Sequence, residues 1–343
     1  MPTNLTQAHR QLFARPDDER FESLGSLWEY CHQQKTQSTD RWTPPSSLKP
    51  ESDGSRLRLT LGSDGAFALN HWSFSQLCIK CGVATDTINR LSPETASRAL
   101  RETMPDGTKP LQVLTTGTSI RSIHGVAYSR LWSADLVTML REFAVDFQPP
   151  PTGYNGATGL YAGEADLFCF LIDPTGWAEI EGESFAPGFF VWNSEVGKAS
   201  VGISTFWFQS VCQNHLVWDA TEVVEFTRKH TGKVHESLGE IRRIVEGLVT
   251  KRDERRDGFA ALMRKAMATT LGTDADEVEK LLAKSGFNRA LAARAVALAQ
   301  ETKTRFSVFS VVDALTRMAR ELPNASDRTA ADEKASKLLA LVA

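Results

Sequence analysis

The sequence predicts an α+β protein, largely antiparallel, with a strand-rich N-terminal two thirds packed with helices and an all-helical C-terminal third. Two observations carry this. Residues 158–231 are a succession of short strand-like runs, Leu160-Tyr161, Asp166–Ile172, Phe189–Trp192, Ser200–Phe208 and Val223–Arg228, punctuated by turn residues. After Gly232 the apolar spacing becomes helical, and no proline occurs between residues 188 and 322 to interrupt it. A length of 343 residues suits roughly two domains. Shifts in composition divide the chain into an N-terminal helix and linker (1–54), an α+β core (55–232) and a helical C-terminal region (233–343).

In chain order, Phe21, Leu24, Leu27 and Trp28 share one helical face, which predicts a helix over Asp17 to Gln34. DRWTPPSSLKPESDGS follows and reads as a linker or surface loop. Leu57, Leu59 and Leu61 alternate with Arg58, Thr60 and Gly62, and Ser63-Asp64-Gly65 turns the chain back, a hairpin signal. Short helices are predicted over Ser73–Cys81, Ala84–Leu91 and Pro93–Glu102, the last opened by a Ser92 cap and a proline in the first turn. Strand character returns at Leu111–Leu114 and His124–Leu131, and Ser133 is the natural cap of a helix to Phe147. Helices over Val234–Leu271, 274–302 and 307–322 complete the chain, with no internal repeat.

Hydrophobic content of 41% and charged content of 24% are those of a globular protein. The net charge of −3 gives no molecule-wide basic field, so a nucleic-acid partner needs a local patch. Five scattered cysteines, Cys31, Cys78, Cys81, Cys169 and Cys212, fit a reducing compartment. The N-terminus lacks the apolar core of a signal peptide, and no run approaches the roughly 18 apolar residues of a membrane helix. A cytoplasmic protein with no membrane partner is expected.

Residues 187–218, PGFFVWNSEVGKASVGISTFWFQSVCQNHLVW, hold seven Phe or Trp among 32 residues. Phe189-Phe190-Val191-Trp192 offers bulk to both faces of a strand, which predicts cover on both sides. In the return strand Val201, Ile203 and Trp207 share one face, and Ser200, Gly202 and Ser204 leave the other nearly bare. The rings either fill a sheet–helix core or flank a stripe that another protomer or a nucleic-acid strand approaches. Asn193 to Lys198 reads as the reversal between the strands, with Gly197 free to take positive φ.

Few residues are arranged for chemistry. Cys78-Ile79-Lys80-Cys81, with His71 seven residues earlier, lacks the second ligand pair a zinc site needs, and helical spacing makes it an ordinary buried segment. His230 and His235 read as polar turn residues. No metal or cofactor is expected, and no nucleotide, hydrolase or calcium motif is present. Asp166, Glu179, Glu181 and Glu195 are acids near strands from which a metal-assisted enzyme acting on nucleic acid would have to be built. The basic residues say more. Residues 228–265 hold 11 Lys/Arg against 6 Asp/Glu, either a solvated helix face with i,i+4 pairs or a stripe that neutralises phosphates. Arg121, Tyr128, Arg130 and Trp132 alternate cations with rings, the combination single-strand binders use.

RPDDERF, HWSFSQLCIKCGVATDTINRL, GVAYSRLW, WNSEVGKASVGIS, VCQNHLVW followed by RKHTG, and SVFSVVDALTRMAREL occur in an order that resembles the phage/plasmid-like proteins of a bacterial domain-of-unknown-function family. The resemblance covers most of the chain. Its most specific element is the hairpin Asn193, Ser194, Glu195 and Gly197 together with Cys212 and Asn214. It implies a gene of a plasmid, prophage or integrative element, without an established activity; by fold-level analogy, a curved sheet backed by helices is similar to the architecture of Red-beta-like annealing proteins. The leading expectation is therefore a non-enzymatic DNA-binding protein, a homo-oligomeric mediator of single-strand annealing or recombination. Single-stranded DNA would meet Arg121, Arg130, Arg228, Lys229, Arg242 and Arg243, with Tyr128 and Trp132 stacking on bases. The alternatives are the metal-assisted enzyme and a protein-interaction module for plasmid maintenance or anti-defence, acting through the C-terminal helices.

Overall fold

A computed structural model of the chain describes residues 15–152, 158–211, 214–218, 225–302, 306–319, 338, 339 and 341. A 3-10 turn and strand β1 (Arg20–Phe21) precede helix α1 (Leu24–Thr36), which starts later than its apolar spacing predicts. Ser23 caps it: its hydroxyl accepts from Ser26 N, and the Ser26 hydroxyl accepts from Ser23 N.

The stretch read as a linker forms β2 (Ser38–Thr43) and β3 (Leu48–Ser52). Both belong to a six-stranded sheet with β4 (Leu57–Leu61), β5 (Ala66–Leu69), β6 (Leu111–Thr116) and β7 (Ser119–His124), in the order β2-β6-β7-β5-β4-β3. The boundary expected at 54/55 therefore runs through this sheet. Prolines hid the strands. Pro50 is tolerated because β3 is an edge, where a missing N–H costs no ladder bond, and Leu48 and Pro50 point inward while Lys49 and Glu51 point out. All neighbours are antiparallel except β5 and β7. Helices α2 (His71–Lys80), α3 (Thr85–Ile88) and α4 (Pro93–Glu102) contribute Leu77, Cys78, Ile88 and Leu100 to the core on this sheet.

The second sheet has eight strands: β1, β8 (Leu160–Ala162), β9 (Leu167–Ile172), β10 (Ala178–Ile180), β11 (Glu183–Asn193), β12 (Val201–Val211), β13 (Asn214–Trp218) and β14 (Glu225–Arg228). Its spine is the β11–β12 hairpin, in register from Phe185 opposite Gln209 to Trp192 opposite Gly202. One face, with Phe189, Val191, Val201 and Ile203, is covered by α1, α5 (Ser133–Phe143) and α6 (Glu236–Thr250). On the other face Phe168, Phe170, Phe190, Trp192, Phe206 and Phe208 form a buried aromatic layer. The two-sided bulk of β11 thus meets cover on both sides.

The bare stripe on β12 is filled by its own partner strand. A Cβ on Gly202 would run into the Trp192 indole and lie 2.6 Å from the Phe226 carbonyl; one on Gly188 would lie 2.9 Å from the Phe206 ring. Each ring lies across the glycine opposite it, which leaves this stripe no room for an approaching strand or protomer.

The last third is helical, as predicted, but more segmented. The long helix expected over Val234–Leu271 breaks at Lys251 into α6 and α7 (Arg252–Ala268), and the 274–302 pattern divides at Gly286, φ 88°, into α8 (Ala275–Lys284) and α9 (Arg289–Thr302). With α10 (Val308–Ala319), helices α7, α8 and α9 pack on the far end of the β11–β12 hairpin, where Trp207 stacks on Phe259 at 3.9 Å and Phe185 meets Phe259 and Phe309 edge-on. Among the described residues no helix is long and apolar enough to cross a membrane.

Candidate functional site

The β11–β12 turn is buried over its first half, and Lys198 in its second half is exposed. Asn193, Ser194, Glu195 and Val196 are at most 5% exposed, and Gly197 takes φ 72° as the turn requires. The first sheet and the loop after β7 close over this tip. Arg121 of β7 donates from Nη1 to Glu195 Oε1 at 2.6 Å and from Nη2 to the Glu164 carbonyl at 3.0 Å. The Glu195 carbonyl accepts from the Tyr128 hydroxyl at 2.8 Å and from Arg130 Nη1. Val196 O accepts from Trp72 Nε1 and lies 2.8 Å from His124 Nε2, which therefore carries the ring proton. Asn193 donates to the Leu131 carbonyl, and the Ser194 hydroxyl to that of Ala165.

Ser133 is the first residue of α5, and its side chain caps nothing. Instead Glu195 Oε2 accepts from Ser133 N at 3.0 Å. A carboxylate at a helix N-terminus answers both the orphan N–H and the positive end of the dipole. The expected local cap is thus replaced by one 62 residues away.

These contacts settle where the singled-out residues lie. Arg121 is buried and paired to Glu195; Arg130 is buried and grips Asp40 through Nε at 2.8 Å and Nη2 at 2.6 Å. The alternation of cations and rings exists, but internally: the Arg130 guanidinium sits over Tyr128 at 5.3 Å and Trp132 at 5.4 Å. Tyr128 is sandwiched between His124 at 3.6 Å and His230 at 5.6 Å. Burial lowers both histidines to about 4 and pushes the Tyr128 hydroxyl up. His230 is thus a core residue and not the polar turn read from its sequence. Arg228 pairs with Glu236 at 3.3 Å, Arg242 with Glu246 at 2.7 Å and Arg243 with Glu240 at 2.8 Å. Lys229 is exposed and makes no ion pair among the described residues. The basic stretch 228–265 is thereby laced with acids, and its arginines do not join Arg121 and Arg130 on one concave surface. Asn214 opens β13, and Cys212 lies outside the described residues.

The acids of the enzyme reading do not converge. Glu195 and Asp166 stand at the hairpin-tip end of the second sheet, with Asp166 paired to Arg15 at 2.8 Å. Glu179 and Glu181 stand at the opposite end, where Ala178 faces Phe185, eight residues along β11 from Asn193, roughly 25 Å at strand rise. Cys78 and Cys81 lie in the apolar core, their thiols pushed up by burial, and no group of three or more metal-ligating side chains occurs among the described residues.

A groove of about 420 Å³ opens elsewhere, where β4 begins, β5 ends, and α2 and α4 start. Its lining includes Arg56, Arg58, Asn70, His71 and Asn89 above Leu57, Leu69, Phe74, Ile88 and Leu91, and holds no acid. Asp53 organises the arginines from outside the lining. Its carboxylate accepts from Ser55 N at 3.0 Å, Arg56 N at 2.8 Å and Arg58 Nε at 2.7 Å. The bond from Arg58, with those from the turn, holds Asp53 well below the usual carboxylate range. Nη1 and Nη2 of Arg58, and the whole Arg56 guanidinium, make no hydrogen bond among the described residues. Sequence reading missed this site, although its signal was visible: Arg56 and Arg58 are the polar beats of the alternation that announced β4. No family model matches the chain, and no curated protein and no solved structure matches it.

Proposed function

We propose that the protein is a non-catalytic nucleic-acid-binding protein that takes single-stranded DNA through the groove at the β4–β5 end. One observation carries the reading: a ligand-sized groove whose lining combines two arginines, a histidine and two asparagines with an apolar floor and no carboxylate. Cations answer phosphates, and rings and aliphatic side chains answer bases. Pockets of about 300–1,000 Å³ hold small-molecule-sized ligands, so the groove seats a short piece of a strand. The cations first picked from the sequence, Arg121, Arg130, Arg228, Arg242 and Arg243, are occupied by carboxylates. They serve the fold in this reading. Strand annealing by a homo-oligomer encoded on a mobile element is the process it fits.

The test is fluorescence anisotropy with a labelled single-stranded oligonucleotide across a salt series. Binding is expected at low salt and should weaken as salt rises. R56E/R58E should lower affinity at least tenfold, and R242E/R243E should change it little. Absence of binding at low salt, or equal losses in both variants, overturns the reading.

A further inference from the structure

We infer that the groove seats one unpaired nucleotide, its phosphate on Arg56 and Arg58 and its base on Phe74, which makes it a reader of single strands rather than of duplex. The inference rests on the nucleic-acid reading above and specifies its ligand. The polar and apolar parts of the groove are segregated by the fold. Arg56 and Arg58 come from the start of β4, on a turn that Asp53 pins through Ser55 N and Arg56 N. Phe74 and Ile88 come from α2 and α3 and, with Leu57 and Leu69, belong to the core under the sheet.

The ion pair with Asp53 engages Arg58 through Nε alone. Its two terminal nitrogens are left for an anion, and a fixed guanidinium loses little freedom on binding. Arg56 needs no exchange of partner either. A phosphate therefore displaces no ion pair at Arg56 and can use the nitrogens that Asp53 leaves open on Arg58, whereas at Arg121 it would have to enter a buried pair with Glu195. A base stacked in a duplex cannot reach a recessed ring, so the floor is open to unpaired bases only.

The test uses the full chain with three probes, thymidine 5′-monophosphate, thymidine and inorganic phosphate, followed by calorimetry and by displacement of a labelled oligonucleotide. The monophosphate should bind once per chain, displace the oligonucleotide, and bind more tightly than thymidine or inorganic phosphate. R56S/R58S should abolish this. F74L, which keeps apolar volume under the sheet and removes the ring, should weaken the monophosphate about tenfold, the size of one stacking interaction, and leave inorganic phosphate unchanged. Thermal melting confirms that each variant is folded. If the oligonucleotide binds but the monophosphate does not compete, or F74L is indifferent, the one-nucleotide seat is wrong and the broader reading stands. If neither ligand binds, both fall.

Discussion

His230 is 7% exposed, and neither ring nitrogen has a hydrogen-bond partner among the described residues. It is held by stacking on Tyr128, and burial lowers it to about 4 from an ordinary 6.5. In the folded state the ring is neutral; in the unfolded chain it takes up a proton below about pH 6.5. The unfolded state then binds more protons, so this group's contribution is constant above that pH and is lost as pH drops from 6.5 to about 4. Each unit of separation corresponds to about 1.4 kcal/mol, and His124, lowered for the same reason, adds in the same direction. H230F keeps the stack and removes both unanswered nitrogens. Thermal melts should show it at least as stable as wild type at pH 7, with a clearly shallower loss between pH 6.5 and 4.5. A steeper loss would contradict this account. Nothing in the spacing of His230 and His235 disclosed it, because the ring that covers His230 comes from a loop 102 positions earlier in the chain.

Elements were legible where their periodicity was local. The β4–β5 hairpin, the proline-led α4 and the two-faced β11 follow from side-chain order alone. The misread elements were decided by neighbours: β3 keeps its proline because it is an edge, and α5 takes its cap from the β11–β12 turn. The β12 stripe belongs to this class. Ser200, Gly202 and Ser204 read as open space, yet cross-strand register lays Trp192 over Gly202. G202A pits a methyl group against an indole and a backbone carbonyl that cannot rotate away. It should cost about 2 kcal/mol or more by urea denaturation, with S204A on the same strand costing clearly less. Equal costs would mean that the ring does not fill the stripe.

For the whole molecule, the hairpin tip is the joint at which the first sheet, the second sheet and α5 meet. Glu195, on the hairpin of the second sheet, is bonded through its two side-chain oxygens to Arg121 of the first sheet and Ser133 N of α5, and through its carbonyl to Tyr128 of the loop after β7. Removing one member of a buried pair strands the other, so E195A should destabilise by about 3–5 kcal/mol. Adding R121M to E195A should recover part of that loss in denaturant titrations; an additive further loss would show that the pair is not what holds the joint. What the sequence by itself determined is the α+β class, the helical last third and the positive-φ turn at Gly197, because hydrophobic period and turn chemistry are properties of neighbouring residues. Only the tertiary structure decided which cations are free. Arg121 meets an acid 74 positions away and Arg130 one 90 positions away, encounters created by sheet register that local order does not encode. The same folding leaves Arg56 and the terminal nitrogens of Arg58 facing a groove.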